Sequence, residues 1–333
     1  MTSPLVLADF GSFFVPGHLV ETTGAPVETM VLAAGGVPVR IDPNGTTSVG
    51  AMYVQYFRPV GSERRPPLLF WHGGSMSGVA WESTPDGRPG WLDYFLRAGW
   101  ACAVVDAVER GRSGWAPRDA HFAAPAMLRT LQDSFVQFRL GTRPRAATLE
   151  ALREAAYPGC RFPLEAFPAF MHQVVPRWSD TDDLALAAYA GLLERLGPAV
   201  IVAHSQGAAY AFRAAERSPG KVAAIVAVEP AQGGTSDGAA LADVPVLALY
   251  GDHLARDARW PHIRARTDGW FASARTAGAN IDVLDLPSRG IVGNSHLLIM
   301  ENNNAALAAL AAEWLDRQRL PRSSAQWERS SNA

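Results

Sequence analysis

The chain of 333 residues is 48% hydrophobic and 19% charged, enough apolar content for a large core and too much for a disordered chain. Its net charge is -2 and its arginines are scattered, which excludes the basic footprint of a nucleic-acid binder. The longest apolar stretches are of strand length, well short of a bilayer span, so no membrane partner is expected.

The first fifty residues combine weak strand patterns with many turn residues, as antiparallel edge strands and loops would. From residue 51 onward, β-rich runs alternate with helical patterns, the sequence form of an α/β protein with a mostly parallel central sheet flanked by helices. The runs are 51–57, 68–72, 101–106, 199–204, 222–229, 246–251 and 281–286, and several are apolar throughout, as strands covered on both faces should be. Between them, Leu184, Ala188, Leu192 and Leu196 recur at helical spacing behind a Ser179, Asp182 capping signature, and Leu307, Leu310 and Trp314 follow Asn304 in the same way. This gives a core formed by 1–116 and 179–320, with a polar tail at 321–333.

The segment 117–178 separates two strands by far more than the usual few residues of a connection and is expected to be an inserted helical cap. It is rich in Phe, Met, Pro and Arg. Phe135, Phe138, Met171 and Trp178 are expected to form an apolar wall above the site, in competition with the plainer reading that these aromatics build a satellite core.

The chemistry begins at Ile201-Val202-Ala203-His204-Ser205-Gln206-Gly207-Ala208, which places a serine directly after an apolar strand and before a helix-forming run. That is where a nucleophile elbow belongs, because its strained turn needs small neighbours two residues either side, here Ala203 and Gly207. Upstream, His72-Gly73-Gly74-Ser75 follows another apolar strand, and its glycines let backbone N–H groups approach a developing oxyanion. The amides of Gly74 and Gln206 are the expected oxyanion donors, and His72 is expected to tie the loop down. Downstream, His296 lies in a loop beyond the last strand and is the expected general base; His204, next to the serine, cannot turn its ring onto it. Either Glu229 or Asp252 can orient His296, since both end apolar strands and both keep the chain order nucleophile, acid, histidine.

Other chemistries are poorly supplied. The single lysine, Lys221, sits in a Pro-Gly-Lys turn, which argues against P-loop and Schiff-base chemistry. Cys102 and Cys160 cannot make a disulfide framework or a four-cysteine metal site, and no histidine spacing suggests a metal, so no metal and no cofactor are expected. Residues 1–16 lack a basic n-region and a small-residue cleavage site, so a cytoplasmic location is expected unless a signal was trimmed before this numbering begins. A homodimer is left open.

With these residues in place, roughly 50–318 resembles an α/β-hydrolase fold enzyme. More narrowly, the chain is similar to a small bacterial esterase group through Gly-Ser-Phe-Phe-Val at 11–15, Trp-Glu-Ser-Thr-Pro-Asp-Gly at 81–87, and the Asp-x-x-x-x-Gly-Arg-Ser turn at 106–113. The resemblance implies a glutamate acid after the sixth strand, hence Glu229 rather than Asp252. The expected function is a serine hydrolase of small to medium, partly hydrophobic carboxylic esters. A carbon–carbon bond hydrolase or an acyltransferase would use the same triad, and a ligand-binding homologue could retain the fold without turnover.

Overall fold

The computed structural model describes residues 3–115 and 126–327. β1 (Leu7–Val15) and β6 (Met52–Pro59) pair antiparallel at one edge of an eight-stranded sheet, and β6 also pairs antiparallel with β8 (Cys102–Asp106). β2 (His18–Thr22) with β5 (Gly45–Val49), and β3 (Glu28–Val31) with β4 (Pro38–Ile41), form two separate antiparallel ribbons. The rest of the large sheet is parallel: β7 (Leu68–Trp71), β9 (Ala199–His204), β10 (Val222–Val228), β11 (Val246–Tyr250) and β12 (Ile281–Asp285). The strand order is β1-β6-β8-β7-β9-β10-β11-β12. The expected α/β class, with a mostly parallel sheet between helices, therefore holds, and every apolar run read from residue 51 onward coincides with or overlaps one of these strands.

The uniformly apolar strands still alternate in what they touch. Ile201 and Ala203 of β9 enter one core and Val200 and Val202 the other; in β10, Ile225 and Ala227 part company with Val226 and Val228 in the same way. Two buried faces explain why no polar residue interrupts these runs, and each fully buried aliphatic side chain contributes about 1.5–3 kcal/mol. The first core is closed by α6 (Asp182–Leu196), α7 (Gln206–Arg217) and α8 (Trp260–Thr276). The second is closed by α1 (Val79–Glu82), α2 (Trp91–Arg97) and α9 (Asn304–Asp316).

The helix starts differ from the capping reading. Thr181 and Asn303 occupy the N-cap positions of α6 and α9, and neither makes a side-chain cap hydrogen bond. Asp182 instead accepts from the Tyr210 hydroxyl at 2.6 Å and pairs with Arg213 at 3.0 Å.

Of the insertion, 126–178 is described, with α3 (Leu131–Gln137), α4 (Leu149–Ala155) and α5 (Phe167–Phe170). The rings of Phe135, Phe162, Phe167 and Phe170 pack edge-on or stacked, with centroids 5.1–5.8 Å apart, and they continue the second core of the sheet. Among the described residues, no helix is long and apolar enough to cross a membrane.

Candidate active site

In open parallel sheets the crevice for a ligand lies beyond the carboxyl ends of the strands. Here β9 lies between β7 and β10, so the loops that leave these three strands meet at one place. They carry Gly74, Ser205 and Glu229. The loop that follows β12 brings His296 across to them.

Ser205 has φ 54° and ψ −113°, a strained conformation for a residue with a side chain, of the kind that costs about 1–3 kcal/mol and persists only where the surroundings enforce it. Its N–H donates to the Val228 carbonyl at 2.9 Å, and α7 begins at the next residue. Two glycines make the turn possible. A Cβ on Gly207 would stand 2.7 Å from the carbonyl oxygens of Trp71 and His72, and one on Gly73 would stand 2.6 Å from the His204 ring. The motif therefore needs small residues because the β7 loop and the elbow are in backbone contact.

Ser205 Oγ lies 2.9 Å from His296 Nε2, and His296 Nδ1 lies 3.0 Å from Glu229 Oε2. Burial alone would raise the Glu229 carboxyl, but Arg139 and the imidazole outweigh it and hold the group at about 2, so it only accepts. The proton of His296 is then on Nδ1, and Nε2 is free to accept from the serine hydroxyl. Burial lowers the imidazole below its ordinary value against the pull of Glu229, which leaves it neutral near pH 7. Its backbone is fixed from both sides: the N–H donates to Phe138 O at 3.0 Å, and the carbonyl accepts from His204 Nε2 at 2.7 Å.

Asp252, the alternative acid, makes no hydrogen bond to the imidazole among the described residues. Its carboxylate accepts from the N–H groups of His253 at 2.6 Å and Gly293 at 2.9 Å, joining the end of β11 to the histidine loop. His72 holds the glycine loop, with Nδ1–H donating to Gly73 O at 2.8 Å and Nε2 accepting from Ala107 N–H at 2.9 Å. Burial lowers His72 to about 4, so it stays neutral. Gly74 and Gln206 line the same cavity as Ser205 and His296, and among the described residues neither backbone N–H has an acceptor.

That cavity has a volume of about 330 Å³. Of the four side chains expected to wall it, Phe138 lines it and stacks on the His296 ring with centroids 6.1 Å apart. The other three lie elsewhere. Phe135 is fully buried against Phe167 in the core, Met171 packs against that same core, and Trp178 packs edge-on to Trp115 and against Val49. Phe135, inside α3, and Phe138, at its C-cap, both belong to the second core, but Phe138 also reaches His296. In place of an apolar wall the cavity shows Arg129, Arg177 and Arg213.

Sequence reasoning passed over two buried groups behind the triad. Arg139, fully buried and at φ 61°, donates from Nη2 to Glu229 Oε1 at 2.7 Å and from Nε to Asp252 O at 2.8 Å, and stacks 4.5 Å over Trp260. A lone arginine between Phe138 and Leu140 was the available signal, since a charge inside an apolar run needs a buried partner. Glu301 lies beneath the histidine loop and accepts from Ser295 N–H at 2.8 Å and Asn294 Nδ2 at 2.6 Å. Burial raises it to about 7.

The motifs behind the resemblance brace these loops. Asp106 accepts from Gly78 N–H at 2.7 Å and from Arg112 at 2.8 Å, and Arg88, next to the 81–87 loop, donates to Glu301 O at 2.9 Å and Met300 O at 3.0 Å.

The sheet order, the strained serine after β9 and the histidine after β12 are the arrangement of the α/β-hydrolase fold. The family model described as alpha/beta hydrolase fold matches residues 66–257, and the chain belongs to this family. Among solved structures, that of a bacterial esterase is similar to it at 31% identity, covering 95% of this chain and 98% of that one with a TM-score of 0.81. Among curated proteins, one named probable secreted lipase phiG, from Fungal sp. (strain ATCC 74256), is 25% identical over 80% of this chain and 86% of its own length.

Proposed function

We propose that the protein hydrolyses carboxylic esters through an acyl-enzyme on Ser205. The observation that carries this is the continuous chain from Ser205 Oγ to His296 Nε2 at 2.9 Å and from His296 Nδ1 to Glu229 Oε2 at 3.0 Å. The names of the esterase and lipase relatives support the same bond class.

In this mechanism Ser205 attacks the ester carbonyl while His296 takes the hydroxyl proton. The negative charge that develops on the carbonyl oxygen is met by the Gly74 and Gln206 N–H groups, which have no competing acceptor among the described residues; the second also sits at the N-terminus of α7. The protonated imidazole returns its proton to the departing alcohol, and Glu229 stabilises the imidazolium without taking the proton. A water activated by His296 then releases the acid and restores the serine. A cavity of about 330 Å³ suits a small to medium ester. The test is turnover of a p-nitrophenyl ester series from acetate to octanoate. The expected result is turnover that Ser205→Ala reduces by at least about a thousandfold without loss of fold; near-normal turnover in that variant would refute the reading.

A further inference from the structure

The cavity around Ser205 gathers positive charge that the triad does not use. Arg177 lies directly over the glycine loop: a Cβ on Gly74 would stand 2.4 Å from its Nη1. That Nη1 donates to Gln206 Oε1 at 3.1 Å, and Gln206 Nε2 in turn donates to the Tyr210 hydroxyl at 2.9 Å, so the guanidinium is held in place by a chain of neutral groups. Its Nε is buried without a hydrogen-bond partner among the described residues. Arg129 lines the same cavity and is brought alongside by the antiparallel bridge between Met127 and Arg177. Among the described residues, no carboxylate lies within ion-pair distance of Arg129 or Arg177.

Two nearby acids are already engaged. Asp182 lines the cavity but is held by Arg213 and the Tyr210 hydroxyl, and Asp133 is paired with Arg143 on the surface. Arg110, almost fully buried beside the buried Glu109, is disfavoured by the charge of Arg177, and Arg129 and Arg177 repel one another. Like charges held together in a half-buried cavity are unfavourable until a counter-charge enters, and an arginine fork presents the geometry that receives a carboxylate. This arrangement is the opposite of the apolar wall that the aromatic content of the insertion suggests.

We infer that Arg129 and Arg177 form an anion-recognition subsite beside the oxyanion loop, so that the preferred substrate is an ester bearing a second, negatively charged group, a carboxylate, on its acyl or alcohol part. The inference rests on the ester-hydrolase reading for the bond cleaved and adds the substrate class. Placed there, the carboxylate draws binding energy from a site remote from the scissile bond and fixes the carbonyl against the Gly74 and Gln206 amides.

The test has two turnover arms and one binding arm. The acyl arm compares p-nitrophenyl hemiglutarate with p-nitrophenyl valerate, and the alcohol arm compares 3-acetoxybenzoate with 3-tolyl acetate. In at least one arm the anionic ester is expected to have a kcat/KM at least about tenfold above its neutral partner. That ratio should fall at least about tenfold in Arg129→Gln/Arg177→Gln and stay unchanged in Arg145→Gln, which removes the same charge from an exposed position of the same insertion. The binding arm titrates glutarate into Ser205→Ala by calorimetry, with binding expected and its loss expected when the two arginines are also replaced. Neutral esters preferred in both arms, or a ratio that survives the double replacement, would overturn the inference while leaving the esterase reading standing. If no ester at all is turned over, the esterase reading falls, and glutarate binding alone decides whether the subsite exists.

Discussion

Replacing Arg139 by methionine removes the cation from a pair whose side chains are both 0% exposed, and leaves the Glu229 carboxylate with only the His296 ring and the Gly251 N–H as donors. Methionine keeps the apolar contact over Trp260, so the change is chiefly one of charge. Removing one partner of a buried ion pair costs about 3–5 kcal/mol. With about 2.1 cal/mol/K of unfolding entropy per residue, this chain loses about 0.7 kcal/mol of stability per degree near its midpoint, so Tm should fall by about 4–7 °C. Arg139 also pushes the His296 imidazole down, beneath the larger effect of burial. Its removal therefore raises the imidazole, and the acid limb of kcat/KM, where activity appears as His296 loses its proton, should move to higher pH. The assays are calorimetric unfolding and a pH profile of ester hydrolysis on the same preparation. In Arg139→Met/Glu229→Gln the stability loss should be smaller than the sum of the two single losses, because the uncompensated charge is gone. An unchanged Tm together with an acid limb that stays or moves to lower pH would refute the reasoning.

Two further outcomes follow from the carboxylates. Glu229→Gln should lower kcat by about 10³–10⁴ through loss of the anion that holds the imidazole, whereas Asp252→Asn, which weakens hydrogen bonds to two backbone amides and the approach of His253 Nδ1 at 3.7 Å, should cost about 1 kcal/mol of stability and little turnover; paired kinetics and melting curves check this, and the reverse ranking would make Asp252 the acid. Glu301 is raised to about 7 by burial, so the folded state holds its proton where the unfolded chain, near 4.5, does not. Its contribution to stability is then full below pH 4.5 and lost as the pH rises through about 7. The stability of the wild type relative to Glu301→Gln, measured by denaturant titration, should decline across that window; a difference that is flat or grows with pH would count against it.

Much of this was legible because it is local. The strands end where a run of Val, Ile, Leu and Ala meets a turn residue, and the serine at 205 stands between a strand and a helix that each announce themselves within a few residues. What stayed hidden depends on contacts across the chain. Arg139 and Glu229 lie 90 residues apart, and nothing near either one names the other. The aromatics of 126–178 illustrate a second limit: Phe135 and Phe138 are alike in type and neighbourhood and share one core, yet of the two Phe138 stacks on His296, a contact between distant parts of the chain. Arg129 and Arg177 read as scattered surface charge until the bridge through Met127 sets them in one cavity. The choice between Glu229 and Asp252 is open on spacing; in the fold the Glu229 carboxylate lies at hydrogen-bond distance from His296 Nδ1, while that of Asp252 accepts from the Gly293 amide.

That His296 and Glu229 activate Ser205 as the nucleophile is a proposal open to chemical labelling. It is tested most directly by reaction of the intact protein with a fluorophosphonate, followed by mass spectrometry of the peptides. One adduct is expected, on Ser205, formed at a rate that rises with pH as His296 loses its proton, slowed by orders of magnitude in His296→Ala and absent in Ser205→Ala. An adduct on another residue, or labelling of Ser205 that is indifferent to His296, would contradict it.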